Sequence, residues 1–397
     1  MTKCNNTVYI WGADDYNTLG LCRQIGAGGY DVCFVAWGGL YKCTGKSRYC
    51  TRQVITEGLE DGYKFLMENH PDVKAVLINT NDVIAGFIDS RRVDFEQFYH
   101  VSGTDCPGRL EEYSDKFRMS SLAARLGFRI PETRHITPRD DFPDRGYPYI
   151  LKPSGKVQGH ISPFKTRICR NRRELERLMK FVRKDSGFVL QELIPQESVA
   201  LVYGCRLMDD TVLLAGVLNK VRFNDRGDGS YGVVSSDLPE SISAGAIESL
   251  VREINYFGLF SVEYGIVGDK AYFYEINLRN DGTSHIFFQA GANLPLIWTK
   301  SLLGEDCSGI SSKVVGEAVF IDELFDSVNI GRNGLTRRLW KAQKESATLF
   351  KFYDKDDIEP YKFVKKRSWY LGMLDRIASR YRLYIVYFLD KLGVSSL

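Results

Sequence analysis

The sequence predicts an α/β domain followed by an α+β body and a basic helical tail. Three observations carry that reading. Strand and helix signals alternate over the first hundred or so residues, hairpin-like strands follow from about residue 149, and Lys and Arg dominate the charge beyond about residue 330. At 397 residues the chain has room for two to three cores, at about 150 residues per domain.

In the first part "TVYIWG", "YDVCFVAWG", "VKAVLINT" and "FYHVSG" read as strands, with "NTLGLCRQIGAGG" and "ITEGLEDGYKFLMENH" as helices between them. Strands that alternate with helices form βαβ units and a parallel sheet. The turn "WGADDYNTLG" lies where doubly wound folds bind ligands, but it lacks the G-x-G-x-x-G spacing of a dinucleotide site. Asp14, Asp15 or Asn17 is expected to cap the helix, leaving amides beyond it that could hold a substrate carboxylate.

A boundary follows near "CPGRLEEYSDKFRMSSLAARLGFRIPET", where a helix carrying Lys116 stops at Gly127 and Pro131 opens an extended piece. "YPYILKPS" is a strand ending on Lys152, before a polar loop with Gly155 and Gly159 and a strand "FKTRIC". Asn171 caps an amphipathic helix, and "GFVLQELIP" is a further strand. Residues 200 to 236 read as hairpin strands around "NDRGDGSYG", 245 to 257 as a helix, and "LFSVEYGIVGDKAYFYEINLR" as a hairpin turning at Gly268 and Asp269.

Composition excludes several classes. The 44% hydrophobic and 26% charged content is that of an ordinary globular protein, and a net charge of +3 favours no nucleic-acid partner. Nine cysteines without a C-x-x-C pair read as reduced, packed thiols. With no apolar run long enough to span a bilayer, a cytoplasmic protein is expected.

The second hairpin strand poses a chemical question, because it carries Glu275, Asn277 and Arg279 at every second position, and such residues share one face. If the connection is a three-residue loop, Gly268 to Lys270, Glu263 on the partner strand lies opposite Glu275, whereas a two-residue loop turns it away. Converging carboxylates repel unless a cation sits between them, and oxygen donors in this small number suit Mg²⁺. The alternative is an exposed sheet edge. Lys152 beside a glycine-bearing loop, with Lys116 upstream, tips the balance toward a Mg·ATP site.

On "SDKFRMSSLAARLGFRIPET", "YPYILKPS", "FVLQELIPQES", "FSVEYG" and "YFYEINLR", in that order, the chain resembles the ATP-grasp superfamily, and within it carboxylate-amine ligases of the D-aspartate ligase type. The resemblance covers about residues 1 to 305. It implies a Rossmann-like pre-ATP-grasp domain over 1–112, a small lobe over 113–190 and a large lobe with the Mg/ATP hairpin over 191–330, while the excess of Lys and Arg marks a helical basic extension over 331–397. It implies that Lys116 and Lys152 contact ATP phosphates, that Gln191, Glu192, Leu193 and Ile194 form the adenine hinge, and that Glu197 binds ribose. Glu263, Glu275 and Asn277 would hold Mg²⁺, and Arg279 would meet the acyl phosphate or the acceptor carboxylate. Lys220 and Arg222, two apart on one strand, would handle an anionic substrate, against the alternative of an exposed basic edge. His285 is expected to be a packed or surface histidine rather than a base toward the incoming amine.

The implied activity joins a small carboxylate to an amine through an acyl phosphate, with ATP and Mg²⁺. The alternatives are an ATP-grasp carboxylase or other carboxylate-activating enzyme, and a non-catalytic ATP-binding regulatory or membrane-peripheral protein. Leu278 replaces the proline often found between the Asn and the Arg, and the loop over 154–162 has few glycines. The tail, with "KKRSWYLGMLDRIASRYRLYIVYFLDKL", fits either an anionic membrane surface or packing on the body or a second subunit, and packing is the expectation.

Overall fold

The computed structural model describes residues 6–154, 164 and 166–391, and of 374–380 and 382–391 the backbone alone. The loop glycines Gly155 and Gly159 lie outside the described residues.

The first sheet is parallel throughout, in the order β3-β2-β1-β4-β5, from β1 (Thr7–Gly12), β2 (Asp31–Trp37), β3 (Arg52–Thr56), β4 (Ala75–Asn79) and β5 (Tyr99–His100). It is flanked by α1 (Tyr16–Ala27), α2 (Leu59–Glu68), α3 (Asp82–Ser90) and α4 (Arg92–Phe95). Of the expected capping candidates Asp15 is the one that caps α1, accepting from the backbone N–H groups of Asn17 and Thr18. Those amides are therefore engaged within the chain. Asp14 instead ties down the following loop, accepting from Cys43 N and Thr44 N at 2.9 Å.

β3 and α3 are among the elements that the sequence does not announce. β3 is an edge strand whose side chains are mostly exposed, Ile55 at 79%, so no apolar alternation announces it. The α3 segment reads as helix only once Asn81 is recognised as its cap, through a bond from Val83 N.

Past α5 (Leu110–Ser114), α6 (Lys116–Arg125) begins on its cap Asp115 and ends before Gly127, whose φ of 84° stops it. A four-stranded antiparallel sheet follows, ordered β6-β9-β7-β8, from β6 (Thr133–Ile136), β7 (Tyr149–Pro153), β8 (Arg167–Cys169) and β9 (Phe188–Glu192). Helix α7 (Arg172–Met179) is capped by Asn171, as the sequence implied, and buries Leu175 and Met179 against this sheet's core with Leu151 and Phe188.

The third sheet has seven strands, ordered β14-β13-β10-β11-β12-β15-β16, from β10 (Ser198–Arg206), β11 (Val212–Phe223), β12 (Gly229–Ser235), β13 (Gly258–Val267), β14 (Lys270–Asn277), β15 (Glu317–Ile321) and β16 (Leu349–Phe350). The helices α8 (Ala244–Ile254), α9 (Ser284–Gln289), α10 (Leu294–Leu303), α11 (Arg337–Ser346) and α12 (Ile358–Lys391) complete the chain.

By internal contacts the chain divides into two units, one of 1–110, 198–263 and 276–372 and one of 111–197, 264–275 and 373–397. The first unit does not separate the parallel sheet from the seven-stranded one. A single core explains this, since Val8, Ile10 and Leu21 pack in one cluster with Leu201, Phe287, Leu294 and Trp298. The extension over 331–397 is likewise not a purely helical appendage. β16 pairs parallel to β15, and Phe352, Val364 and Leu371 share a buried cluster with Leu19 and Tyr41. The apolar residues spaced between its charges make that contact.

Candidate functional site

The β13–β14 hairpin turns on two residues, Gly268 and Asp269, not on the three-residue loop that the expected pairing of Glu263 with Glu275 required. Gly268 supplies a φ of 55°, the positive value that a two-residue turn of this kind asks of its first residue. Near the turn Tyr264 and Phe273 meet edge to face at 6.2 Å. At the other end Asn277 Nδ2 donates to Ser261 Oγ at 3.2 Å. Ser261 lies two before Glu263 on β13, so this contact joins the end of β14 to the strand that carries Glu263. Ser261 was missed, although its place two before Glu263 in "FSVEYG" offered the signal.

In the second unit, Lys116 opens α6 and its Nζ stands 3.6 Å from Glu275 Oε2, both about a third exposed. Its backbone N–H donates to Ser154 O at 2.9 Å, which fixes the helix start to the end of β7. Lys152, near the end of that strand, donates from Nζ to Gln191 Oε1 at 3.0 Å and lies over the Tyr274 ring, 5.4 Å from its centroid. Gln191 is oriented by its own donation from Nε2 to Thr133 Oγ1 at 3.0 Å. Thus Gln191 turns its side chain to the lysine.

The expected hinge residues follow on β9 and beyond. Glu192 is exposed and its backbone N–H donates to Glu132 O at 2.8 Å, Leu193 N–H donates to Pro148 O at 3.3 Å, and Ile194 is buried. Glu197 is exposed, with Oε1 accepting from Gly268 N–H at 3.3 Å.

In the first unit, Lys220 is buried and donates from Nζ to Glu263 Oε1 at 2.9 Å. Arg222 does not join it. The β11–β12 register shifts between these two positions, which breaks the shared face expected of residues two apart. Arg222 instead grips the buried Asp326 through Nε at 3.1 Å and Nη2 at 2.8 Å. Asp326 also accepts from Ser230 Oγ, Asn329 Nδ2 and Trp340 Nε1, so Arg222 belongs to a structural network.

Arg279 leaves β14 with its guanidinium held by Asp82 Oδ1 at 2.6 Å, by Asn280 O at 3.0 Å and by Asn277 Oδ1 at 3.3 Å. Asp82 stands at the start of α3, an element absent from the sequence reading, and so this partner went unforeseen. His285 is packed, as expected. It is 2% exposed, and burial together with Arg23 holds its imidazole well below the usual range.

The carboxylates and amide singled out for a metal supply hard oxygen donors, and Asn277 Nδ2 is engaged by Ser261, which leaves Oδ1 as its acceptor. Among the described residues no group of three or more His, Cys, Asp or Glu side chains gathers as a metal set. The donors at issue are two carboxylates and an amide.

Solved structures share this architecture. An N5-carboxyaminoimidazole ribonucleotide synthetase in complex with ADP matches at a TM-score of 0.62 with 14% identity, over 81% of this chain and 83% of its own. The chain has the ATP-grasp fold. The same fold brings in an L-amino acid ligase from Bacillus licheniformis at 0.60 and 15% identity, over 80% of both chains. A carboxyaminoimidazole ribonucleotide synthase from Aspergillus clavatus complexed with ATP matches this chain at 0.59 and 11% identity, over 80% of it and 82% of its own length. No protein-family model and no curated protein matches the sequence.

Proposed function

We propose that the protein is an ATP- and Mg²⁺-dependent ligase that joins a small carboxylate to an amine, in the manner of D-aspartate ligases. The observation that carries the reading is the composition of the β13–β14 hairpin within an ATP-grasp fold. Glu275 has a lysine beside it, and Asn277 is oriented by Ser261 with Arg279 at its side oxygen. Neighbours of this fold are named as ligases or synthetases, and two of those cited hold ADP or ATP.

In this reading Lys116 and Lys152 bring positive charge to the nucleotide phosphates. Gln191 to Ile194 hold adenine and Glu197 the ribose. Glu263, Glu275 and Asn277 fit Mg²⁺ by the chemistry of their oxygens. When bound, that ion neutralises charge on the terminal phosphates. The substrate carboxylate attacks the γ-phosphorus, the bond to ADP breaks, and an acyl phosphate results. The amine nitrogen then attacks the acyl carbon and phosphate leaves. Negative charge grows first on the transferring phosphoryl group and next on the tetrahedral centre, where a guanidinium such as Arg279 stabilises it. Lys220 serves this chemistry by setting the position of Glu263, and Arg222 by holding the sheet through Asp326.

Incubation of the protein with Mg·ATP and panels of carboxylate and amine pairs, read as ADP release, tests the reading. Release that requires both a carboxylate and an amine supports it. ADP release that requires bicarbonate in place of the carboxylate favours a carboxylase, and ATP binding without turnover on any pair favours a non-catalytic role.

A further inference from the structure

Helix α12 runs for 34 residues, and its two sides differ in character. Val364 and Leu371, seven apart, are 0% and 1% exposed and pack in the cluster with Phe352. On the opposite side Lys366 is exposed, Trp369 is 72% exposed and Met373 is 38% exposed. These three positions follow the 3-4 spacing of a single helix face. The sequence continues that spacing with Arg376, Arg380 and Tyr384, then with Tyr387 and Lys391. Lys365, also exposed, flanks the same line.

From Lys366 onward the line contains no acid, since Asp375 and Asp390 fall at other spacings. The alternation of cations with Trp, Met and Tyr is the pattern of a helix lying in the plane of an anionic bilayer, with the rings at headgroup depth and the cations against lipid phosphates. Neither the ligase chemistry nor the core makes use of it. The exposed Lys365 and Lys366 beside Trp369 differ from the core of a protein interface, where lysine is depleted. Among the described residues no helix is long and apolar enough to cross a membrane.

We propose that the Lys366–Trp369–Met373 face of α12 docks the protein on a membrane surface rich in anionic phospholipid. The proposal stands whether or not the chain is a ligase.

Full-length protein is sedimented with vesicles of phosphatidylcholine alone and of phosphatidylcholine with phosphatidylglycerol. Trp fluorescence is followed in parallel in the wild type and in Trp369→Phe. The expected result is binding to the anionic vesicles only, weakened by salt, with a blue shift that Trp369→Phe abolishes. Lys365→Gln with Lys366→Gln, both at exposed positions, should lower partitioning roughly thirtyfold. Failure of the wild type to bind anionic vesicles, equal binding to neutral ones, or a solution dimer whose interface shields Trp369 would each overturn the proposal.

Discussion

Lys116 Nζ lies 3.6 Å from Glu275 Oε2, so a cation from the start of α6 and a carboxylate from β14 neutralise each other within one unit. Each is about a third exposed, and a pair of this kind adds at most about 1 kcal/mol to stability. Its worth lies in chemistry. Lys116→Ala and Glu275→Gln should each cut ADP formation by roughly 10²–10³, while thermal unfolding stays near that of the wild type.

Lys152 is held by Gln191 through a hydrogen bond of 3.0 Å from its ammonium to an uncharged amide oxygen. Gln191→Glu turns that bond into an ion pair and competes with phosphate for the ammonium. The KM for ATP should rise by roughly tenfold, with a smaller change in kcat, as steady-state kinetics over an ATP series would reveal.

Asp326 is fully buried, and its two oxygens take donors from Arg222, Ser230, Asn329 and Trp340. Asp326→Ala leaves the Arg222 guanidinium without its counter-ion and should destabilise the fold by about 3–5 kcal/mol. Urea unfolding measures this as a fall in midpoint.

Burial pushes the Asp15 carboxyl up to about 6, against the lowering effect of the Thr18 and Asn17 amides and of Arg279. The folded state therefore binds the proton more tightly than the unfolded state. This contribution is complete below the unfolded value of 3.8 and is lost as pH rises through about 6. It amounts to about 2–3 kcal/mol. Asp15→Asn keeps the cap and should flatten the stability profile between those two values, measured by denaturant titration across pH.

Local chemistry was the legible part. Asp15, Asn171 and Gly127 act at helix ends because capping depends on a few adjacent residues, and the parallel sheet followed from strand and helix alternation. The hairpin loop length was not legible, since Gly268-Asp269 and Gly268-Asp269-Lys270 both carry turn chemistry and the choice moves a whole strand face. Side-chain partners far apart in sequence were equally hidden. Nothing near Arg222 announces Asp326, 104 positions away, and the β11–β12 register shift that separates Arg222 from Lys220 leaves no mark in the sequence.

The central claim is that the β13–β14 hairpin binds the metal that accompanies ATP. Calorimetric titration of ATP with and without Mg²⁺, into the wild type and into Glu275→Gln and Asn277→Ala, addresses it most directly. The account predicts ATP binding that Mg²⁺ strengthens in the wild type and leaves nearly unchanged in both variants, with all three proteins folded. A Mg²⁺ dependence of the same size in all three would contradict it.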